Sequence, residues 1–123
     1  MTWPLPRAAI EKAFLEACRL EVRSLKPGNV HTWAEGHRMT VADFDRSAEA
    51  AAPFIADASL AVGARVRRAV QATFAAVATN TNLGILLLCA PLAAAADKRI
   101  FTGAHPHGPA RAFGRRLMVV LES

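Results

Sequence analysis

The chain has 123 residues, of which 53% are hydrophobic and only 7% aromatic, and its formal charge is +5. That length suits one domain and is too short for two. The 27 alanines, with few β-branched or aromatic runs, argue against a sheet and for close-packed helices. The fold expected is therefore all-α. The charge is uneven: residues 1–96 carry ten Lys/Arg against eight Asp/Glu, and residues 97–123 carry five against two. Twelve of the fifteen cations are arginine, which a GC-rich coding bias also produces, so the basicity argues only weakly for a nucleic-acid partner.

In chain order, the first helix is expected from residue 5 or 6 to residue 24. Ile10, Ala13, Phe14, Ala17 and Leu25 share one face, while Lys12, Glu16, Arg19 and Arg23 take the other. Glu21 falls on the apolar face. A carboxylate there must be paired, coordinated or protonated, because burying a lone charge is very costly. The segment Lys26-Pro27-Gly28-Asn29 then stops the helix: proline disfavours helical geometry in the residue before it, and glycine opens conformations closed to other residues. This element is either an ordinary helix terminator or a way of bringing a cation and free amides beside Glu21.

Residues 29–39 form a loop with His31 and His37. A second helix should begin at Thr40, where Thr40 and Asp43 resemble a capping box, and Pro53 should bend or end it. A loop through Asp57 and Ser59 leads to a third helix over residues 62–78. Val62, Val66, Ala69, Val70, Ala76 and Val77 lie on its inner stripe together with Thr73, while Arg65, Arg67 and Arg68 read as a solvated face. Next comes ATNTNLG, then ILLLCAPLAAAA, which is apolar all round and should be the central helix of the bundle. Asn82 is a plausible N-cap. The helix start after it either suits an anion or is simply a polar turn on a buried helix.

From Asp97 the character changes to a basic, proline- and glycine-containing tail. Its GAHPHG holds two histidines without further ligands, which reads as surface rather than as a metal site. Cys18 and Cys89 sit in apolar contexts and read as free buried thiols rather than a disulfide. No signal-peptide core precedes the first helix, and the apolar run over residues 83–96 is about a third too short to span a bilayer. A soluble, cytoplasmic protein with no membrane partner is expected.

Four pieces occur in fixed order: LEVRSLKPGNV, GHRM before a helix, a helix with Thr73, and NTNLG opening an apolar helix. Together, over residues 13–96, they resemble the triphosphoribosyl-dephospho-CoA synthase family, whose members are all-helical. The resemblance implies transfer of a triphosphoribosyl group from ATP to 3′-dephospho-CoA with release of adenine. By position, Glu21, Lys26, Pro27 and Gly28 match the first family motif. Gly36, His37 and Met39 look like the second, with a residue missing and its aspartate absent. Asn80, Thr81 and Gly84 match the Asn-Thr-His-Lys-Gly motif, with Asn82 and Leu83 standing where the family has His-Lys. That form is similar to a divergent branch linked to tetrahydromethanopterin one-carbon metabolism, which leaves a related transferase as an alternative.

The resemblance implies that Lys26, Gly28, Asn80, Thr81, Asn82 and Gly84 hold the nucleotide. It also implies that Glu21 and His37 are catalytic, with Glu21 on Mg²⁺ or paired with Lys26. It further implies a division of the chain: residues 1–96 as the helical N-terminal half of a larger domain, and residues 97–123 as a truncated or out-of-frame tail. About four helices are then expected, as an incomplete part of a bigger bundle that self-associates through exposed apolar surface. A nucleotide-binding protein without transferase activity is the rival reading.

Overall fold

The structure is a computed structural model that describes residues 3–23, 41–79, 82–98, 113, 114, 116–118 and 120. Four helices account for most of these: α1 Arg7–Arg23, α2 Val41–Ile55, α3 Val62–Val77 and α4 Leu83–Asp97. All regular structure among the described residues is helical, so the protein is all-α, as its composition implies.

Contacts between helix ends fix the topology. Leu5 N–H donates to Ala96 O at 2.8 Å, so α1 starts where α4 ends. An Arg7 Nη donates to Pro53 O at 2.9 Å, placing the end of α2 there too. The α3 start joins them through Arg65, which bonds Ile55 O and Asp97. The helices therefore run up, down, up and down. One end of the bundle gathers the starts of α1 and α3 with the ends of α2 and α4. The other, the loop end, gathers the end of α1, the start of α2, the end of α3 and the start of α4.

The core is built from a narrow stripe of each helix. Ile10, Phe14 and Cys18 supply it from α1 at i, i+4, i+8 spacing; Ala48, Ala51, Ala52 and Ile55 supply it from α2. α4 adds Leu86, Ala90 and Ala93. With so many alanines, stability rests on close helix approach and good helix propensity more than on large buried side chains. Pro53 lies inside α2, two residues before its end, so it removes one late donor from the ladder and leaves the body of the helix uninterrupted. Between α2 and α3, Asp57 accepts hydrogen bonds from the Ser59 amide at 3.0 Å and hydroxyl at 2.6 Å. These bonds hold the Asp57 carboxyl below its ordinary range.

Two expectations need correction. Arg65 does not lie on a solvated face; it is 2% exposed. It shares the buried i, i+4, i+8 stripe with Ala69 and Thr73. Its guanidinium meets Asp97 in a two-point pair at 2.7 and 3.0 Å and also donates to Leu60 O and Ile55 O. A buried arginine with carboxylate and carbonyls around its donors satisfies what burial would otherwise forbid. α4, in turn, is not covered all round. Leu83, Leu87 and Leu88 are 40%, 56% and 63% exposed. Toward the far end of α4, Ala94 and Ala95 are covered, packing with Val120 and against Phe113 and Leu117.

That covering comes from a fifth helical segment, seen at residues 113, 114, 116–118 and 120. Phe113 stacks on Trp3 with ring centroids 5.3 Å apart and planes at 27°. The buried Arg116 donates to Ala95 O at 2.6 Å and to Lys98 O, and its guanidinium lies 5.2 Å from the Trp3 ring centroid.

Candidate functional site

Of the residues singled out by sequence, Glu21, Thr73, Asn82 and Gly84 are described, and the order of the helices puts all four at the loop end. Glu21 is two residues from the end of α1 and follows the buried Ile10, Phe14, Cys18 stripe, so it occupies the stripe's last position and is half-buried there. The stripe's own geometry put a carboxylate at this place: three residues beyond Cys18 on a helix lie on nearly the same face. Cys18 feels Glu21 from its own helix, Asp45 from α2 and the Cys89 thiol from α4. Burial is the main reason its pKa is pushed up to about 12, with Cys89 next. Burial also raises the Cys89 thiol. Both cysteines are free, and both are held as neutral thiols rather than nucleophiles.

Across the bundle, α3 and α4 contribute a buried polar pair. Thr73 is 1% exposed and Asn82 is 6% exposed. The Asn82 side-chain amide donates to Thr73 Oγ1 at 3.3 Å. Asn82 is the N-cap residue of α4, as its sequence position implies, but its side chain makes no capping bond. It turns back toward Thr73 instead. Leu86 N–H closes the first turn on Asn82 O at 3.0 Å, so the amides of residues 83–85 keep no intrahelical partner.

The buried Asn82 Oδ1 has no hydrogen-bond partner among the described residues. Exchanging the amide's oxygen and nitrogen would turn the orphan from an acceptor into a donor without removing it, because the Thr73 hydroxyl can play either part. A buried polar atom left in this state costs stability, which is tolerable where a bound molecule completes it. Gly84, two residues on, is exposed, and a Cβ built there meets nothing within 4 Å. The approach to the start of α4 is open at that position.

α3 ends at this site with strain. Ala78 caps it in the left-handed conformation, φ 59° and ψ 22°, and its N–H donates to Phe74 O at 2.8 Å. Asn80 and Thr81 follow Thr79 in the chain. These two, with Lys26, Pro27, Gly28, Gly36, His37 and Met39, lie outside the described residues. Residues 24–40 link the end of α1 to the start of α2, and residues 80 and 81 link α3 to α4, so both segments join elements at the loop end.

The model of the ATP:dephospho-CoA triphosphoribosyl transferase family matches residues 7–122. The chain belongs to this family. The match includes residues after 96 as well as the four-helix body. No curated protein and no solved structure matches the chain. Membership fixes the class of chemistry, triphosphoribosyl transfer from ATP, at the level of the family.

Sequence reasoning missed two parts of this arrangement. It singled out Thr73 and Asn82 separately and did not join them, since they lie nine positions apart on different helices. It also missed that Arg65 and Asp97 tie the opposite end. The spacing signal was present: Arg65, Ala69 and Thr73 recur every four residues, and an arginine in such a stripe asks for a buried carboxylate. Among the described residues no group of three or more His, Cys, Asp or Glu could hold a metal ion. No described helix is long and apolar enough to cross a membrane.

Proposed function

We propose that the loop end binds the triphosphate of ATP and that the protein transfers the triphosphoribosyl group to 3′-dephospho-CoA. In that reaction a hydroxyl oxygen of dephospho-CoA forms a bond to ribose C1′. The C1′–N bond breaks with its electron pair leaving on adenine, the hydroxyl gives up its proton, and adenine takes one up. The triphosphate stays on the ribose, so the site must grip it without hydrolysing it.

The observation that carries this reading is the orphaned Asn82 amide beside the uncapped start of α4. Phosphate oxygens only accept hydrogen bonds, so the Asn82 amide serves them in the exchanged orientation, with the Thr73 hydroxyl donating to Oδ1 and Nδ2 left to donate beside the free helix amides of α4. In this assignment Asn80, Thr81, Asn82 and the backbone near Gly84 hold the triphosphate from the α4 side. Lys26 and the amides about Gly28 hold it from the α1 side. His37 serves the proton leaving the attacking hydroxyl or the one gained by adenine. Glu21 pairs with Lys26 or takes a place on Mg²⁺. The donor chemistry fits the ion, since Mg²⁺ is commonly held by one or two carboxylates together with substrate phosphates, and Glu21 and Asp45 both act on the same Cys18. Bound there, Mg²⁺ would neutralise phosphate charge.

One observation favours a second reading, nucleotide binding without transfer. Asn82 and Leu83 stand where the family motif has His-Lys, and here Asn82 is committed to Thr73 while Leu83 is exposed. Neither side chain carries charge or moves a proton. A related transferase of the branch linked to tetrahydromethanopterin would keep the same frame with another acceptor. The exposed leucines of α4 also support self-association, which sedimentation would read as a mass above one chain. The setting we assign is cytoplasmic.

Calorimetry with ATP–Mg²⁺ and an adenine-release assay with dephospho-CoA separate these readings. Binding with release supports the transferase, and binding without release supports the second reading. Glu21→Gln should abolish ATP binding while leaving helicity intact; normal ATP binding by that variant would make Glu21 a core acid and sink the assignment.

A further inference from the structure

A cavity of about 520 Å³ lies between α1 and α4, away from the loop end. Phe14 and Ala17 line one side and Cys89 and Ala93 the other, with Trp3 and Phe113 across its end. Its origin is compositional: where α1 and α4 face each other, several wall positions are alanine, and no large side chain fills the gap between the aromatic groups. The end wall is firmly built. Trp3 is stacked on Phe113 and covered by the Arg116 guanidinium, which is itself anchored on Ala95 O.

The space opens to solvent along the half-exposed Ala17, so it is a pocket of uncovered apolar surface, and a ligand that covers that surface removes it from water. Water fills it badly, because an ordered water needs two to four polar partners. The Cys89 thiol, kept neutral by burial, is a weak one. Apolar cavities of roughly 150 Å³ lined by such residues already bind benzene, and ligand pockets commonly run from about 300 to 1,000 Å³.

We propose that this cavity binds an uncharged apolar small molecule, or an uncharged apolar portion of one, at a site separate from the loop end. Binding there uses no charge and no proton transfer. Specificity comes from volume and from the aromatic end wall, so anionic and zwitterionic compounds are excluded by desolvation.

The probe is p-xylene, with the reaction of Cys89 toward an uncharged disulfide reagent followed by peptide mass. At a p-xylene concentration about ten times its dissociation constant, Cys89 modification slows about tenfold and Tm rises, as mass action requires. Ala17→Phe, which fills the cavity from its half-exposed edge, abolishes both effects while keeping the helical spectrum. Ala93→Leu fills it from the α4 side and does the same if Ala17→Phe folds poorly. Glu21→Gln leaves p-xylene protection intact, so failure of the nucleotide reading is a separate result. Absence of protection in the unaltered protein would overturn the proposal, since the cavity would then be collapsed or already filled by the chain. Equal protection in both filled variants would overturn it as well.

Discussion

The two ends of the bundle solve the problem of burying polar groups in opposite ways. At the end where α2 and α4 finish, Arg65 is buried with two contacts to Asp97 and further bonds to Leu60 O and Ile55 O, and Arg116 is satisfied by two carbonyls. At the loop end, Asn82 is equally buried yet keeps an amide atom without a partner among the described residues, and Ala78 holds a strained backbone. Satisfied groups far from a site fix the frame, whereas unsatisfied groups and strain gather where a ligand completes them. The sharpest way to break this contrast is at the tied end. Asp97→Ala leaves Arg65 buried without its carboxylate and should cost about 3 kcal/mol, the lower part of the range for a broken buried pair, because two carbonyl bonds remain. Urea unfolding reads this, and ATP affinity of the folded fraction should not change. A loss under about 1 kcal/mol would mean the pair is not buried in solution.

The mirror experiment, at the loop end, should move function and spare stability. Asn82→Leu removes the orphaned amide but strands the Thr73 hydroxyl, which can turn to its own helix carbonyl. The two effects should leave stability within about 1 kcal/mol of the starting protein. ATP affinity should fall at least about tenfold, or about 1.4 kcal/mol. The reverse pattern, lost stability with normal ATP binding, would make the Thr73–Asn82 pair part of the frame.

How much of this contrast could be read in advance follows from the period of a helix. Ile10, Phe14 and Cys18 on α1, and Ala48, Ala51, Ala52 and Ile55 on α2, recur at helical spacing, so the helices and their limits were legible to within about two residues, and the inner faces in part, since Ala13, Val41 and Ala76 share the period yet are exposed. Glu21 stood out by the same logic. Arg65 did not, because pattern reading counts arginine as surface, and its partner lies 32 residues away at the end of another helix. α4 misled for a related reason: uniform apolarity carries no phase, so nothing in the run separates exposed Leu87 from buried Leu86. The helical residues from Phe113 to Val120 escaped notice because prolines, glycines and arginines precede and interrupt them. Of the candidate site, the positions of Glu21, Asn82 and Gly84 were legible, since helix ends fix them. The Thr73–Asn82 contact was not, because it depends on how α3 and α4 cross.

Midway between the two ends, the thiols provide a measure of how dry the shared core is. Cys18 has a folded pKa of about 12, above its ordinary 9.0, mainly through burial. Below pH 9 the thiol is neutral in both states, and its contribution to stability is fully present. Between about 9 and 12 only the unfolded chain loses the proton, so stability should fall as pH rises, on the order of 1 kcal/mol per unit. Cys89 shifts in the same direction and adds to the trend. Cys18→Ala should flatten the alkaline limb seen by urea unfolding. An unchanged limb in Cys18→Ala would assign the loss to other groups.

The smallest effect expected lies at the strained turn itself. Ala78 sits at φ 59°, where a Cβ is crowded against the backbone, and it ends α3 two residues before Asn80. Glycine takes this conformation without strain but enters it from a more disordered unfolded chain, so Ala78→Gly should gain about 0.5–1 kcal/mol rather than the full strain energy. Because glycine can follow the same backbone path and keep the bond to Phe74 O, the course into α4 should persist, and ATP affinity should stay within about twofold. That outcome would make the strain a cost of chain direction alone. A gain in stability coupled to a clear loss of ATP affinity would show that the stiffness of an alanine at this turn is what holds Asn80 to Asn82 in place, and the loop end would then owe its readiness to bind to strain as well as to an unfilled hydrogen bond.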